Sequence, residues 1–101
     1  MDIKIVENKK DYEIIFHIDG DITINNSDEL LNKLSEFSGE DFDIILDFTN
    51  LKYIDSAGMG ALVRKLKEIL SVGGELKIIN TPPKILRLFK LTKLDTFFEI
   101  S

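Results

Sequence analysis

The chain has 101 residues, 44% apolar and 31% charged, which is the composition of one globular domain over 1–101 and leaves too little for two separate cores. A net charge of −5 with only short basic clusters excludes the positive stripe that a nucleic-acid backbone requires, and no apolar run approaches the ~18 residues of a membrane span. With no cysteine, disulfides, thiolate metal sites and thiol catalysis are excluded, and Met1-Asp2-Ile3-Lys4 lacks the basic start and apolar stretch of a signal peptide, so a cytoplasmic protein is expected.

Residues 2–7 alternate, with Ile3 and Ile5 against Asp2 and Lys4, and predict a short strand. After the polar turn Asn8-Lys9-Lys10-Asp11, residues 12–18 alternate again: Tyr12, Ile14, Phe16 and Ile18 on one face, Glu13, Ile15 and His17 on the other. The two strands predict an antiparallel hairpin, with His17 half-exposed and no partner in the sequence for metal or catalytic work. Asp19-Gly20-Asp21 breaks the pattern and starts a loop.

Asn26 followed by Glu29 predicts a capping box at the start of a helix whose buried stripe is Leu30, Leu31, Leu34 and Phe37 and whose end is Gly39. Residues 42–48 have a nearly continuous apolar centre, the mark of a parallel strand covered on both faces. A second helix carries the stripe Met59, Leu62, Val63, Leu66, Ile69 and Leu70 and stops at Gly73-Gly74. Residues 75–79 predict another strand. Pro82-Pro83 then opens a third helix with Ile85, Leu86 and Phe89 inward, Leu91 and Leu94 continuing that layer. Phe97, Phe98 and Ile100 close the sheet or dock as a terminal segment. The basic sets Arg64, Lys65, Lys67 and Lys84, Arg87, Lys90, Lys93 sit at helical spacing and predict solvated helix faces. The order β-β-α-β-α-β-α predicts an α/β fold: an N-terminal hairpin, then parallel strands joined by right-handed crossovers.

The informative segment is Asp55-Ser56-Ala57-Gly58-Met59-Gly60. By position Ser56 caps the second helix. Gly58 and Gly60 each cost about 1 kcal/mol relative to alanine in a helix, which argues for close approach by another backbone or a bulky partner. Met59 begins the apolar stripe and is expected in the core, with a possible place at the rim. Ser56 as a catalytic nucleophile lacks parts: Ile54 stands where a nucleophile elbow has its first glycine, and the sole histidine has no spacing that links it to Ser56. Gly58-Met59-Gly60 lacks the length and lysine of a P-loop, and the clustered aspartates of a phospho-receiver domain are missing. Paired acids such as Asp41 and Asp43, or Asp19 and Asp21, fit strand-end solvation.

The runs Ile44-Ile45-Leu46-Asp47-Phe48, Tyr53 to Gly60, Gly73-Gly74-Glu75-Leu76, Gly20-Asp21-Ile22-Thr23 and Leu88 to Phe98, in this order, resemble the STAS domain of bacterial anti-sigma factor antagonists. The resemblance implies the STAS fold, a mixed four- to five-stranded sheet with helices packed on it, and no enzymatic activity, metal or cofactor. It implies that Ser56 accepts a phosphate from an anti-sigma factor with serine kinase activity. It further implies that the unphosphorylated form binds that factor and releases the sigma factor, and that a metal-dependent serine phosphatase resets the switch. Asp21, Thr23, Asp55, Ser56, Ala57, Gly58, Met59 and Gly60 would meet the partner, and a monomer suffices. Ala57 stands where many members have a second serine, leaving one hydroxyl, and Thr23 replaces the usual aspartate of the first loop. The alternative within the family is a stand-alone subunit of a transport or stress-signalling assembly that binds through the same face without phosphorylation.

Overall fold

The computed structural model describes residues 1–37 and 42–101. β1 (Asp2–Asn8) and β2 (Glu13–Ile22) form the predicted hairpin, Ile3 opposite Ile18 and Ile5 opposite Phe16. Two expectations change here. Tyr12 is exposed in the connecting turn at φ +54, rather than on the buried face. Asp19-Gly20-Asp21 stays in the sheet: β2 runs on to Ile22, absorbing register shifts at His17/Asp19 and Gly20/Asp21, with Gly20 at φ +103 supplying the conformation that side chains disfavour.

α1 (Ser27–Ser35) buries Leu30 and Leu34 and packs Leu31 against the core, and Phe37, just past its end, packs there too. Asn26 is its N-cap by position, but the capping box with Glu29 is not made. The Asn26 side chain turns back to close the loop after β2: Oδ1 accepts from the Thr23 N–H (2.9 Å) and Nδ2 donates to the Asp21 carbonyl (2.8 Å). Gly39, the predicted helix stop, and Asp41 lie outside the described residues.

β3 (Asp43–Ile54) is longer than its apolar centre suggests, because residues 49–54 remain beside the extended end of β2, Leu51 with Gly20 and Ile54 with Ile22. Then come α2 (Ser56–Ser71), β4 (Leu76–Ile79), α3 (Pro83–Leu91), a 3-10 turn at Leu94–Thr96 and β5 (Glu99–Ile100). α2 ends as Gly73-Gly74 predicts: the Gly73 N–H reaches the Leu70 carbonyl and the Gly74 N–H the Ile69 carbonyl, with Gly73 at φ +83. Pro82 and Pro83 open α3 as expected.

The sheet order is β1-β2-β3-β4-β5, with β2 to β5 mutually parallel. Each crossover steps one strand in the same direction, so right-handed connections put all three helices on one face. Their buried residues Leu30, Leu34, Leu62, Leu66, Ile85 and Phe89 join one core with Phe16, Leu46 and Ile78. The expectation that 42–48 is covered by elements on both faces therefore does not hold. Ile45, on the second face, reaches 7% exposure in the row between Ile15 and Lys77.

On the helices, three further side chains depart from their predicted faces. Leu70, at the edge of the α2 stripe, and Leu91, the last residue of α3, are exposed. Lys65 is only 5% exposed rather than on a solvated face. Its Nζ donates to Ser35 Oγ (2.7 Å) across to α1 and pairs with Glu68 (3.0 Å), the charge-assisted bonding that a buried ammonium requires.

Candidate functional site

The end of β3 and the start of α2 carry the segment singled out above. Ile54 is buried beside Ile22, and Asp55 follows with extended backbone (φ −94, ψ 177). An N-cap needs that extended conformation, so the cap is Asp55: its Oδ1 accepts from the Gly58 N–H at 2.7 Å. This corrects the assignment of the cap to Ser56, which is already the first helical residue. Ser56 is exposed, and among the described residues its hydroxyl makes no hydrogen bond. With the Gly58 N–H taken, the N–H groups of Ser56 and Ala57 are the helix-start donors left without an intrahelical acceptor.

Asp55 also gathers the loop after β2. Its Oδ2 accepts from the Ile24 N–H (3.1 Å), and its own N–H donates to the Ile22 carbonyl (3.1 Å). Asp21 is exposed, in register with Tyr53, so the predicted first-loop residues and the helix start do lie together. The Thr23 hydroxyl oxygen accepts from the Asn25 N–H (3.2 Å) and its carbonyl accepts from Ser27 (2.8 Å), so this residue shapes its own loop.

The remaining residues of the segment divide by burial. Met59 is in the core, as its stripe predicts, and Ala57 is half-buried. Close approach explains one glycine and not the other. A Cβ on Gly58 would stand 2.7 Å from the Ile22 carbonyl oxygen and 3.0 Å or less from the Ile22 and Ile54 side chains, whereas one on Gly60 would meet nothing within 4 Å. Ser56 and Gly60 thus face outward, and Gly58 and Met59 anchor the turn to the sheet.

A second polar cluster was not legible in the sequence. His17 is half-exposed as expected, but its Nδ1 lies 2.7 Å from Asp47 Oδ2. Asp47 Oδ1 also accepts from the Thr49 hydroxyl (2.6 Å), the Thr49 N–H (3.0 Å) and Asn80 Nδ2 (3.2 Å). Burial pushes the Asp47 carboxyl up, but the bonds from Thr49, Asn80 and His17 together outweigh it and hold it below the ordinary carboxylate range. The partners come from three elements, and strand register alone brings His17 beside Asp47. A cavity of about 260 Å³ lies here, lined by Asp2, Lys4, His17, Asp19, Asp47 and Asn50 among others. Among the described residues no group of three histidine, cysteine or acidic side chains could hold a metal ion, and no helix is long and apolar enough to cross a membrane.

Comparison with known proteins bears on the family and the fold. A family model for the STAS domain matches residues 2–101. The anti-sigma-B factor antagonist of Bacillus subtilis is 28% identical over 101 residues, covering 100% of this chain and 91% of the relative. Among solved structures, the anti-sigma factor antagonist SpoIIAA in its unphosphorylated form has the same fold, with a TM-score of 0.79, 19% identity and coverage of 99% of this chain and 88% of that one. The phosphorylated form of the Bacillus SpoIIAA superposes with a TM-score of 0.72 at 19% identity, covering 99% and 91%.

Proposed function

The chain belongs to the STAS domain family, and on that premise we propose that it is an anti-sigma factor antagonist switched by phosphorylation of Ser56. The observation that carries this reading is the uncommitted Ser56 hydroxyl, exposed on the first residue of α2 while Asp55 does the capping. In the unphosphorylated state a neutral surface of Ser56, Ala57 and Gly60, with Asp21 and Thr23 alongside, docks on an anti-sigma factor with serine kinase activity and frees the sigma factor. That kinase then places a phosphate on Ser56.

The added group brings about −1.5 to −2 charges and three acceptor oxygens. The helix dipole and the unpaired N–H groups of the first turn accommodate it, so the fold survives. Next to Asp55 and Asp21 it builds a negative patch that a partner surface matched to a neutral hydroxyl cannot desolvate cheaply. A metal-dependent serine phosphatase reverses the step. The protein acts in the cytoplasm, and a monomer is sufficient.

The test is incubation with ATP and the cognate anti-sigma factor, followed by mass spectrometry for one phosphate on Ser56, together with binding of two variants. Ser56→Ala should bind constitutively and take no phosphate. Ser56→Asp should bind about 100-fold more weakly, or about 2.8 kcal/mol at 1.4 kcal/mol per tenfold. Equal binding by both variants would refute the switch and favour a permanent subunit of a transport or stress-signalling assembly, docking through the same face.

A further inference from the structure

Next to Ser56 the surface opens into a groove of about 540 Å³ between the start of α1 and the first half of α2. Ile24, Ser27 and Asp28 line one side, and Ala57, Gly60 and Arg64 the other. Three observations here, at Ile24, Arg64 and Gly60, have no explanation inside the chain. Ile24 is 72% exposed although its N–H is fixed by Asp55, so a large apolar side chain is held out beside the groove. Ser27 is only 6% exposed as a residue, but its hydroxyl, which makes no hydrogen bond among the described residues, keeps access to the groove. Arg64 is exposed and makes no ion pair among the described residues. Gly60 has no neighbour that a methyl group would touch, and glycine inside a helix is unfavourable relative to alanine.

We infer that this groove seats an apolar side chain of the anti-sigma factor, packed on Ile24 and crossing over Gly60, next to a carboxylate that pairs with Arg64. The inference rests on the reading above and names the contact that gives that partner its grip. Gly60 lets the partner come close to the helix backbone. Asp28 on the α1 rim repels a second acid and so directs the carboxylate to the α2 side, where a guanidinium offers a paired donor geometry. Ala57 belongs both to the groove and to the turn that carries Ser56, so a phosphate there lies at the edge of the same contact. An exposed apolar anchor beside a guanidinium is the kind of place where interface affinity concentrates.

The experiment measures Kd for the purified cognate anti-sigma factor, with Ser56→Asp measured alongside. Ile24→Ala should weaken binding at least about tenfold with an unchanged circular dichroism spectrum, and Arg64→Glu should do the same. Gly60→Ala gives the sharper readout, because its stability and its binding should move in opposite directions: the melting temperature should rise by about 4–8 °C while affinity falls. Leu91→Ala, an apolar side chain with 72% exposure elsewhere, should leave Kd unchanged. If Ile24→Ala and Gly60→Ala bind like the parent while Ser56→Asp remains defective, the groove is not the docking site and the switch stands. If Ser56→Asp binds like the parent, the switch and this inference fall together.

Discussion

Asp47, in the middle of β3, is surrounded by donors: the Thr49 hydroxyl and N–H, the Asn80 amide and the His17 ring. Asp55, one residue past the end of the same strand, accepts among the described residues from two backbone N–H groups, those of Gly58 and Ile24. The first cluster uses its available donors to tie β2, β3 and the turn after β4 into one unit. The second fixes a loop to a helix start, yet leaves a serine hydroxyl and two N–H groups open beside it. The same side chain is thus a rigid pin in one place and a mount in the other. The difference lies in how much hydrogen-bonding capacity its neighbours retain, and the proposed switch would need some in reserve to take up a phosphate.

The mount holds because Gly58 lies against β2, and breaking that contact should have the largest effect on stability. Gly58→Ala would drive a methyl group to 2.7 Å from the Ile22 carbonyl, a backbone atom that cannot step aside. Even after the helix-propensity gain of alanine, a loss of about 3 kcal/mol is expected from overpacking, read as a fall in the denaturant midpoint. An unchanged midpoint would mean that α2 can lift from the sheet, and the mount would not be rigid.

Asp55→Ala tests the mount from the other side. It removes the N-cap and frees the Ile24 N–H, both at a partly exposed position, so about 1–2 kcal/mol of stability should go. Hydrogen exchange of the Gly58 and Ile24 amides should quicken together while the amides of Ile44 to Leu46 keep their protection. If only Gly58 responds, Asp55 caps the helix without organising the loop.

The contrast also marks what could be read from residues alone. Periodicity placed the hairpin, the three helices and the Gly73-Gly74 stop, and the Asp-Ser-Ala-Gly-Met-Gly run marked the turn from β3 into α2. Which residue caps that turn depended on one backbone angle, and Asp and Ser are equally good capping types. The length of β2 was hidden because Gly20 ordinarily signals a loop, whereas here it lets the strand absorb a register shift. The His17–Asp47 pair and the burial of Lys65 are contacts between residues 30 apart, set by strand register and helix packing, neither of which leaves a local pattern. The uncovered sheet face follows from strand order, which periodicity cannot supply.

The pin makes the smallest prediction and the one most dependent on pH. Asp47→Asn keeps an oxygen for Thr49 but loses the charge that strengthens all four bonds, and its amide nitrogen meets a side already filled with donors. About 1 kcal/mol of stability should be lost near neutral pH. Because its folded-state proton affinity is lowered, the Asp47 carboxylate stabilises the fold above its ordinary titration range, and that contribution disappears as pH falls through the still lower folded value. The parent and Asp47→Asn should therefore differ in unfolding free energy at pH 7 and converge in acid. Comparing the two cancels the titration of the other carboxylates that both proteins share. A difference that persists unchanged into acid would show that the packing of the side chain, and not its charge, holds the three elements together. Asp47 would then stabilise by shape, and hydrogen-bond saturation would not be what separates it from Asp55.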